Sequence, residues 1–372
     1  MNPPRPRRTF GDETIDLQIS RLIELIGTDN NDDLVRSMLV SVLDMDAEDV
    51  ARLELKIANQ SIAEMLNAWR VFSPYDDRSK VTIFGSARTK PDHPDYKLAT
   101  EFGRLMTKRD WMSITGAGPG IMHAGIEGAG RENSFGVNIV LPFEQQANPA
   151  ITDDPKLASY RYFFTRKLSF MKESDAFALF PGGFGTMDET FELLTLVQTG
   201  KSYPVPIVLI DNPESSYWDG WRNFVAKELG ERGMISDHDS ELFLHTHDAV
   251  EAVDYICSFY RCYHSIRYVR NQLVVRLRNP LSNRALATLN EEFGDIVAKG
   301  AITPIETTPV ELRDDDHVDL FRIGFRFDNK SFARLVGLAR RINELDEHGD
   351  GQSARGLLHH VGPEPDTDGE TV

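Results

Sequence analysis

The run Ala176-Phe177-Ala178-Leu179-Phe180-Pro181-Gly182-Gly183-Phe184-Gly185-Thr186-Met187-Asp188-Glu189 starts as an unbroken apolar segment and then breaks at three glycines within four residues. It continues in helical spacing to Gln198. Apolar residues without alternation suit a strand buried on both faces, as in a parallel sheet. The glycines let the backbone approach a ligand closely, and their N–H groups lie in the positive field of a helix start. This is a strand, a ligand-sized turn and a helix in fourteen residues.

The same alternation extends in both directions. Lys80–Phe84 reads as a strand stopping at Gly85-Ser86-Ala87-Arg88, followed by a helix over Tyr96–Arg109 and a strand over Trp111–Thr115. A second glycine cluster, Gly116-Ala117-Gly118-Pro119-Gly120, opens a helix over Ile121–Arg131. A strand over Val137–Leu141 and a helix around Arg166–Glu173 come before the quoted run. A strand over Pro206–Ile210 and a helix over Tyr217–Leu229 come after it. Strands alternating with helices predict a Rossmann-like α/β domain over 79–265, a parallel sheet with helices on both faces. Ligands of such sheets bind beyond the carboxyl ends of the strands, where both glycine clusters fall.

The flanks read differently. Residues 1–12 are Arg- and Pro-rich and are expected to form a disordered tail. Residues 13–78 are helical, with an apolar stripe at Leu17, Ile19, Leu22, Ile23 and Ile26 and its continuation at Leu34, Met38 and Val42. A third helix is expected from about Asp46, and the whole suits a lid or a dimerisation element. Residues 266–346 predict a small α+β unit, with strands at Leu273–Arg278 and Phe321–Phe327 and helices at Arg284–Ala298 and Ser331–Asn343. Arg276, Arg278, Arg322 and Arg326 would project away from its apolar face, on the opposite side of the sheet. They would form a solvated surface, an anion site, or pairs with Asp314-Asp315-Asp316. Residues 347–372 are expected to be disordered.

The 372 residues carry 41 Lys and Arg against 58 Asp and Glu, a formal charge of -17. That balance argues against nucleic acid as a partner, because phosphate-backbone affinity needs surplus cations. No apolar run approaches membrane-helix length, and no apolar signal core follows the basic start. A cytoplasmic protein is expected. Cys257 and Cys262 are too few for a disulfide scaffold or a four-cysteine metal site. His93, His123, His238, His245 and His247 are scattered, with only His245-x-His247 at a ligand-like spacing. No metal and no other cofactor is expected.

Gly116–Ile121 fails the dinucleotide fingerprint, because its third glycine would fall at Ile121. Neither glycine turn is followed by the Lys-Ser/Thr of a P-loop. Thr186-x-x-Glu189 has a reading that needs no ligand: it is the spacing of a helix capping box. Two adjacent cations, Arg166-Lys167, precede the same strand, and a lone carboxylate, Glu144, follows an earlier one.

Together, Arg166-Lys167, Pro181-Gly182-Gly183-Phe184-Gly185-Thr186 and Glu189 resemble the signature of the Lonely Guy (LOG) family, long labelled lysine decarboxylases. The likeness covers about Lys80 to Leu229 and extends to Gly85-Ser86-Ala87, Gly116–Met122, Leu141-Pro142-Phe143-Glu144 and Thr195. It implies a Rossmann-like fold, a homodimer or higher homo-oligomer, and hydrolysis of a nucleoside 5′-monophosphate to free base and ribose 5-phosphate. It assigns catalysis to Arg166 and Glu189. Substrate binding goes to Ser86, Gly116, Gly118, Glu144, Lys167, Gly182, Gly183, Phe184, Gly185, Thr186 and Thr195. It implies no pyridoxal chemistry. The residues suit the reaction: a carboxylate beside the anomeric carbon opposes the positive charge of an oxocarbenium-like transition state. A non-catalytic nucleotide sensor or carrier is the competing class, and it could dispense with Arg166 and Glu189.

Overall fold

The computed structural model describes residues 8–27, 31–141 and 147–346, and the chain divides into two compact units, Met1–Glu64 and Met65–Val372. In the first, α1 (Glu13–Ile26) starts where the Asp12 side chain accepts from the N–H groups of Thr14 and Ile15. It stops at Gly27, whose φ of +71° is the left-handed turn that suits glycine. With α2 (Asp32–Ala47) it encloses Ile19, Ile23 and Val40. Arg36 crosses between them to Asp16 at 3.2 Å.

Residues 8–12, read from sequence as part of a tail, are tied to this unit. Arg8 donates to Ser41 and Asp44, each at 2.8 Å, and Phe10 packs on the core. The third helix, α3 (Arg52–Phe72), begins later than Asp46, because α2 runs to Ala47 and Asp49 turns the chain at φ +54°. The expected tail at 347–372 lies outside the described residues.

The second unit is built on seven parallel strands. They are β1 (Lys80–Phe84), β2 (Met112–Thr115), β3 (Ser134–Ile139), β4 (Leu157–Tyr160), β5 (Ala176–Leu179), β6 (Ile207–Ile210) and β7 (Leu244–Thr246), in the order β4-β3-β2-β1-β5-β6-β7. The connecting helices are α4 (Pro94–Lys108), α5 (Ile121–Ala129), α6 (Phe163–Lys172), α7 (Phe184–Gln198), α8 (Tyr217–Phe224) and α9 (Ala249–Ser258). This is the Rossmann-like sheet the alternation predicts. β1, β2, β5 and β6 are buried throughout, which is why their sequences are apolar runs. The two edge strands, β4 and β7, escape a reading of the sequence because they are short and partly polar, as edges commonly are. The chain winds outward from β1 to β4 and then returns to the other side of β1 at β5. The strand order therefore reverses between β1 and β5, the place where open sheets form a ligand crevice.

The remaining strands, β8 (Tyr263–Val269), β9 (Gln272–Leu277), β10 (Val297–Pro304) and β11 (Phe321–Phe327), form an antiparallel sheet ordered β10-β11-β9-β8. They are joined by α10 (Asn283–Glu292) and α11 (Pro309–Asp314) and followed by α12 (Phe332–Glu344). Leu273, Val275, Leu277, Ile323, Phe325 and Phe327 belong to the same continuous core as the parallel sheet, so this sheet has no separate core. The helix expected to reach Ala298 ends at Glu292, and Val297 already begins β10.

The arginines do not form a solvated face. Arg276 and Arg322 are buried on the two oxygens of Glu311, at 2.8 and 3.1 Å, and Arg276 also meets Asp316. Thr308 and these guanidiniums outweigh the effect of burial and hold Glu311 below the usual carboxylate range. Arg278 donates to the Tyr260 carbonyl, and Arg326 alone of the four is exposed. Of the three alternatives, pairing within the chain is the one found: Glu311 and, from the acidic run, Asp316 occupy the place of an anion. No described helix is long and apolar enough to cross a membrane.

Candidate functional site

β2, β1 and β5 are neighbours, so the loops leaving their carboxyl ends meet at one edge. Ser86 stitches them together. Its N–H donates to the Pro181 carbonyl at 3.0 Å, and its carbonyl accepts from the Ile121 N–H at 3.0 Å. Gly120, at φ +67°, passes so close that a Cβ would lie 2.2 Å from the Ser86 oxygen, so a side chain is excluded there. At Gly182 a Cβ would fall 2.0 Å from Thr186 Oγ1, because the threonine hydroxyl packs directly onto the turn. From the other side, Tyr217 Oη donates to the Gly182 carbonyl at 2.7 Å.

Helix α7 begins at Phe184 with Gly183 as its N-cap, and no side chain caps it. Thr186 and Glu189 therefore lie inside the helix, and their spacing is not a capping box. The first-turn N–H groups of Phe184, Gly185 and Thr186 have no partner within the helix and face outward at its positive end. Phe184 is 97% exposed beside them.

One turn further on, Glu189 is buried at 6% exposure, and its Oε2 is shielded from solvent with no hydrogen-bond partner. Burial pushes its carboxyl up to about 7, against the pull of Lys167 and Arg166 and with the help of Glu192 and Asp188. Lys167 Nζ is 3.7 Å from Glu189 Oε2, 2.8 Å from Asp188, and bonded to Glu192. Burial disfavours its charge, but these carboxylates prevail and raise its pKa. Arg166 donates from Nε to the Val137 carbonyl at 2.9 Å and lies 5.1 Å over the Phe170 ring. Burial lowers its pKa, opposed chiefly by Glu189. A Cβ on Gly116 would meet Arg166 Nη2 at 2.5 Å, which explains a glycine where the second loop passes the guanidinium. Gly118 is closed over in the same way by Met122.

The structure thus brings together Ser86, Gly116, Gly118, Arg166, Lys167, the turn from Gly182 to Gly185, Thr186 and Glu189. Thr195 stands apart, exposed on α7 with its hydroxyl donating to the Phe191 carbonyl. Glu144 lies outside the described residues. Tyr217, Asp188 and Glu192 were not in the sequence-derived set. The two acids could have been found from helical spacing opposite a lysine, whereas nothing local marks Tyr217. Among the described residues, one group has metal-ligand geometry: Asp211 with His245 and His247. The whole arrangement offers N–H donors for an anion, a guanidinium, and a carboxyl titrating near neutrality, which is the pKa suited to proton transfer at neutral pH.

Comparison with known proteins agrees with the motif. Residues 120–256 match the family model described as possible lysine decarboxylase. The chain is 30% identical over 102 residues to the cytokinin riboside 5′-monophosphate phosphoribohydrolase LOG4 of Arabidopsis thaliana, covering 27% of this chain and 45% of that one. To the cytokinin riboside 5′-monophosphate phosphoribohydrolase of Mycobacterium tuberculosis it is 29% identical over 157 residues, 42% of this chain and 82% of that one. The chain thus spans less than half the length of the plant relative. A solved molybdenum cofactor carrier protein from Chlamydomonas reinhardtii is 18% identical over 47% of this chain and 94% of its own, with a TM-score of 0.32, too low to add to the fold described above. The matched segment contains Arg166-Lys167 and the full Pro181–Glu189 signature, so over this segment the chain is similar to the LOG-type phosphoribohydrolases.

Proposed function

We propose that this protein hydrolyses the N-glycosidic bond of a nucleoside 5′-monophosphate, releasing the free base and ribose 5-phosphate. The observation that carries this reading is Glu189: a buried carboxyl, raised to about 7, one turn inside the helix that the glycine turn opens. The 5′-phosphate binds the first-turn amides of α7 and the Thr186 hydroxyl, where the helix field favours a dianion. The ribose then extends toward Gly116, where only a glycine leaves room beside Arg166.

As the glycosidic bond breaks, positive charge builds on the ribose, and ionised Glu189 opposes it across a site of low polarity. The same carboxylate orients the attacking water and takes its proton, the basicity needed being supplied by burial. Arg166 keeps Glu189 ionised at the moment of need and donates to ribose or phosphate oxygens. Lys167 holds the acids of α7 in register. The names of the relatives support a cytokinin riboside monophosphate as substrate, this reading takes a nucleotide of AMP type as the other candidate, and a homodimer or higher homo-oligomer is the assembly it takes.

The test is to incubate the protein with AMP, GMP, CMP, UMP and a cytokinin riboside monophosphate and to separate the products chromatographically. Free base and ribose 5-phosphate in equal amounts are expected from at least one. Tight binding without release of base from any of the five would replace this reading with that of a nucleotide carrier.

A further inference from the structure

One strand along from the glycine turn, β6 is followed directly by Asp211, and β7 with the residue after it supplies His245 and His247. Residues i and i+2 of an extended chain project to one side, so both imidazoles face the same neighbour. Asp211 Oδ1 lies 3.0 Å from His245 Nε2 and 2.9 Å from His247 Nδ1. One donor atom from each of the three residues lies within 4.8 Å of the others. The Asp211 side chain is fully buried, a costly place for a carboxylate without a fixed cation. Among the described residues its ion-pair partners are these two imidazoles alone, and its other oxygen accepts the Trp218 N–H at 3.3 Å.

We infer that Asp211, His245 and His247 form a binding site for a divalent transition-metal ion, separate from the nucleotide site. Two imidazole nitrogens and one carboxylate oxygen are a donor set that suits Zn²⁺, Co²⁺ or Fe²⁺ and disfavours Mg²⁺ and Ca²⁺. Metal–ligand bonds of about 2.0–2.2 Å put tetrahedral ligands about 3.4 Å apart, so each carboxylate–imidazole separation need widen by only a few tenths of an ångström, and the two imidazole nitrogens, within 4.8 Å of each other, close the site by a rotation of the partly exposed His247 ring.

The surroundings also fit. His245 Nδ1 faces Asp219 Oδ1 at 3.6 Å, so when Nε2 binds the metal, Nδ1 carries the proton toward a carboxylate that orients the ring. Arg222, now 3.3 Å from that Nδ1, already lies 3.6 Å from Asp219 and is half exposed, free to turn wholly onto the acid. The His247 side chain is 39% exposed, which leaves one side of the site open to water or to a further ligand.

The test is isothermal titration of the full chain with Zn²⁺ and with Co²⁺ after dialysis against a chelator. One equivalent per chain is expected, with visible d–d absorption on Co²⁺ loading and a rise in Tm. His247→Gln, at the partly exposed position, should keep the fold and weaken binding about 100-fold, and Asp219→Asn should weaken it about 10-fold. No binding to the folded chain, or binding of equal strength in His247→Gln, would overturn the assignment.

Discussion

Replacing Glu189 with glutamine separates a catalytic carboxyl from a structural one, because the two roles give opposite signs in stability. Glutamine imitates the protonated acid. In the unfolded chain the carboxyl ionises near its ordinary 4.5, but in the fold only near 7. The folded wild type therefore loses stability as pH rises from 4.5 through 7, and the loss is absent below that window. The full difference is 7 − 4.5 = 2.5 pH units. At about 1.4 kcal/mol per unit this is about 3 kcal/mol above pH 8. At pH 5.5 only about 1.4 kcal/mol of it has developed.

The glutamine amide has no partner where Oε2 has none, which costs about 1–2 kcal/mol at every pH and cancels between two pH values. The stability of Glu189→Gln relative to wild type should therefore improve by about 2 kcal/mol between pH 5.5 and pH 8, measured by urea unfolding at both. Turnover at pH 8 should fall at least about 100-fold, the scale of lost charge stabilisation in a buried site. If the variant is instead less stable by the same amount at both pH values, Glu189 is an ion-pair anchor for Lys167. Retention of most of the activity would likewise end its catalytic role.

The remaining expectations concern the phosphate turn, the pH profile and the second sheet. Adenosine should be turned over at least about 100-fold more slowly than AMP, since the α7 amides and Thr186 act only on a phosphate, and comparable kcat/KM values would remove that subsite. Tyr217→Phe removes the hydroxyl on the Gly182 carbonyl; KM for the monophosphate should rise about 5-fold, equivalent to about 1 kcal/mol, with little change in Tm. In wild type, kcat/KM should fall as pH drops through about 7, because the ionised Glu189 is the competent form, and a profile flat from pH 5.5 to 8 would contradict that. Glu311→Ala leaves Arg276 and Arg322 buried without their shared carboxylate and should cost about 3 kcal/mol in denaturant unfolding, whereas a surface pair would cost under about 1 kcal/mol.

Local sequence determined the Rossmann-like sheet. Apolar runs such as Ala176–Phe180 and Pro206–Ile210 can be buried only on both faces, and glycines following such runs put the ligand edge at Gly116–Gly120 and Pro181–Gly185. It also singled out Arg166, Lys167 and Glu189. The first turn of α7 was decided by packing. Thr186 and Glu189 have the spacing of a cap, but the Thr186 hydroxyl lies on Gly182, so the helix starts at Phe184 and Glu189 is left buried and unbonded. The edge strands β4 and β7, the closure of Arg276 and Arg322 on Glu311, and the approach of Asp211 to two histidines 34 and 36 residues away are likewise tertiary. The reason is common to all of them. A strand or a turn is specified by neighbours along the chain, whereas the burial of a side chain and the charges around it are sums over neighbours that only the folded chain brings near.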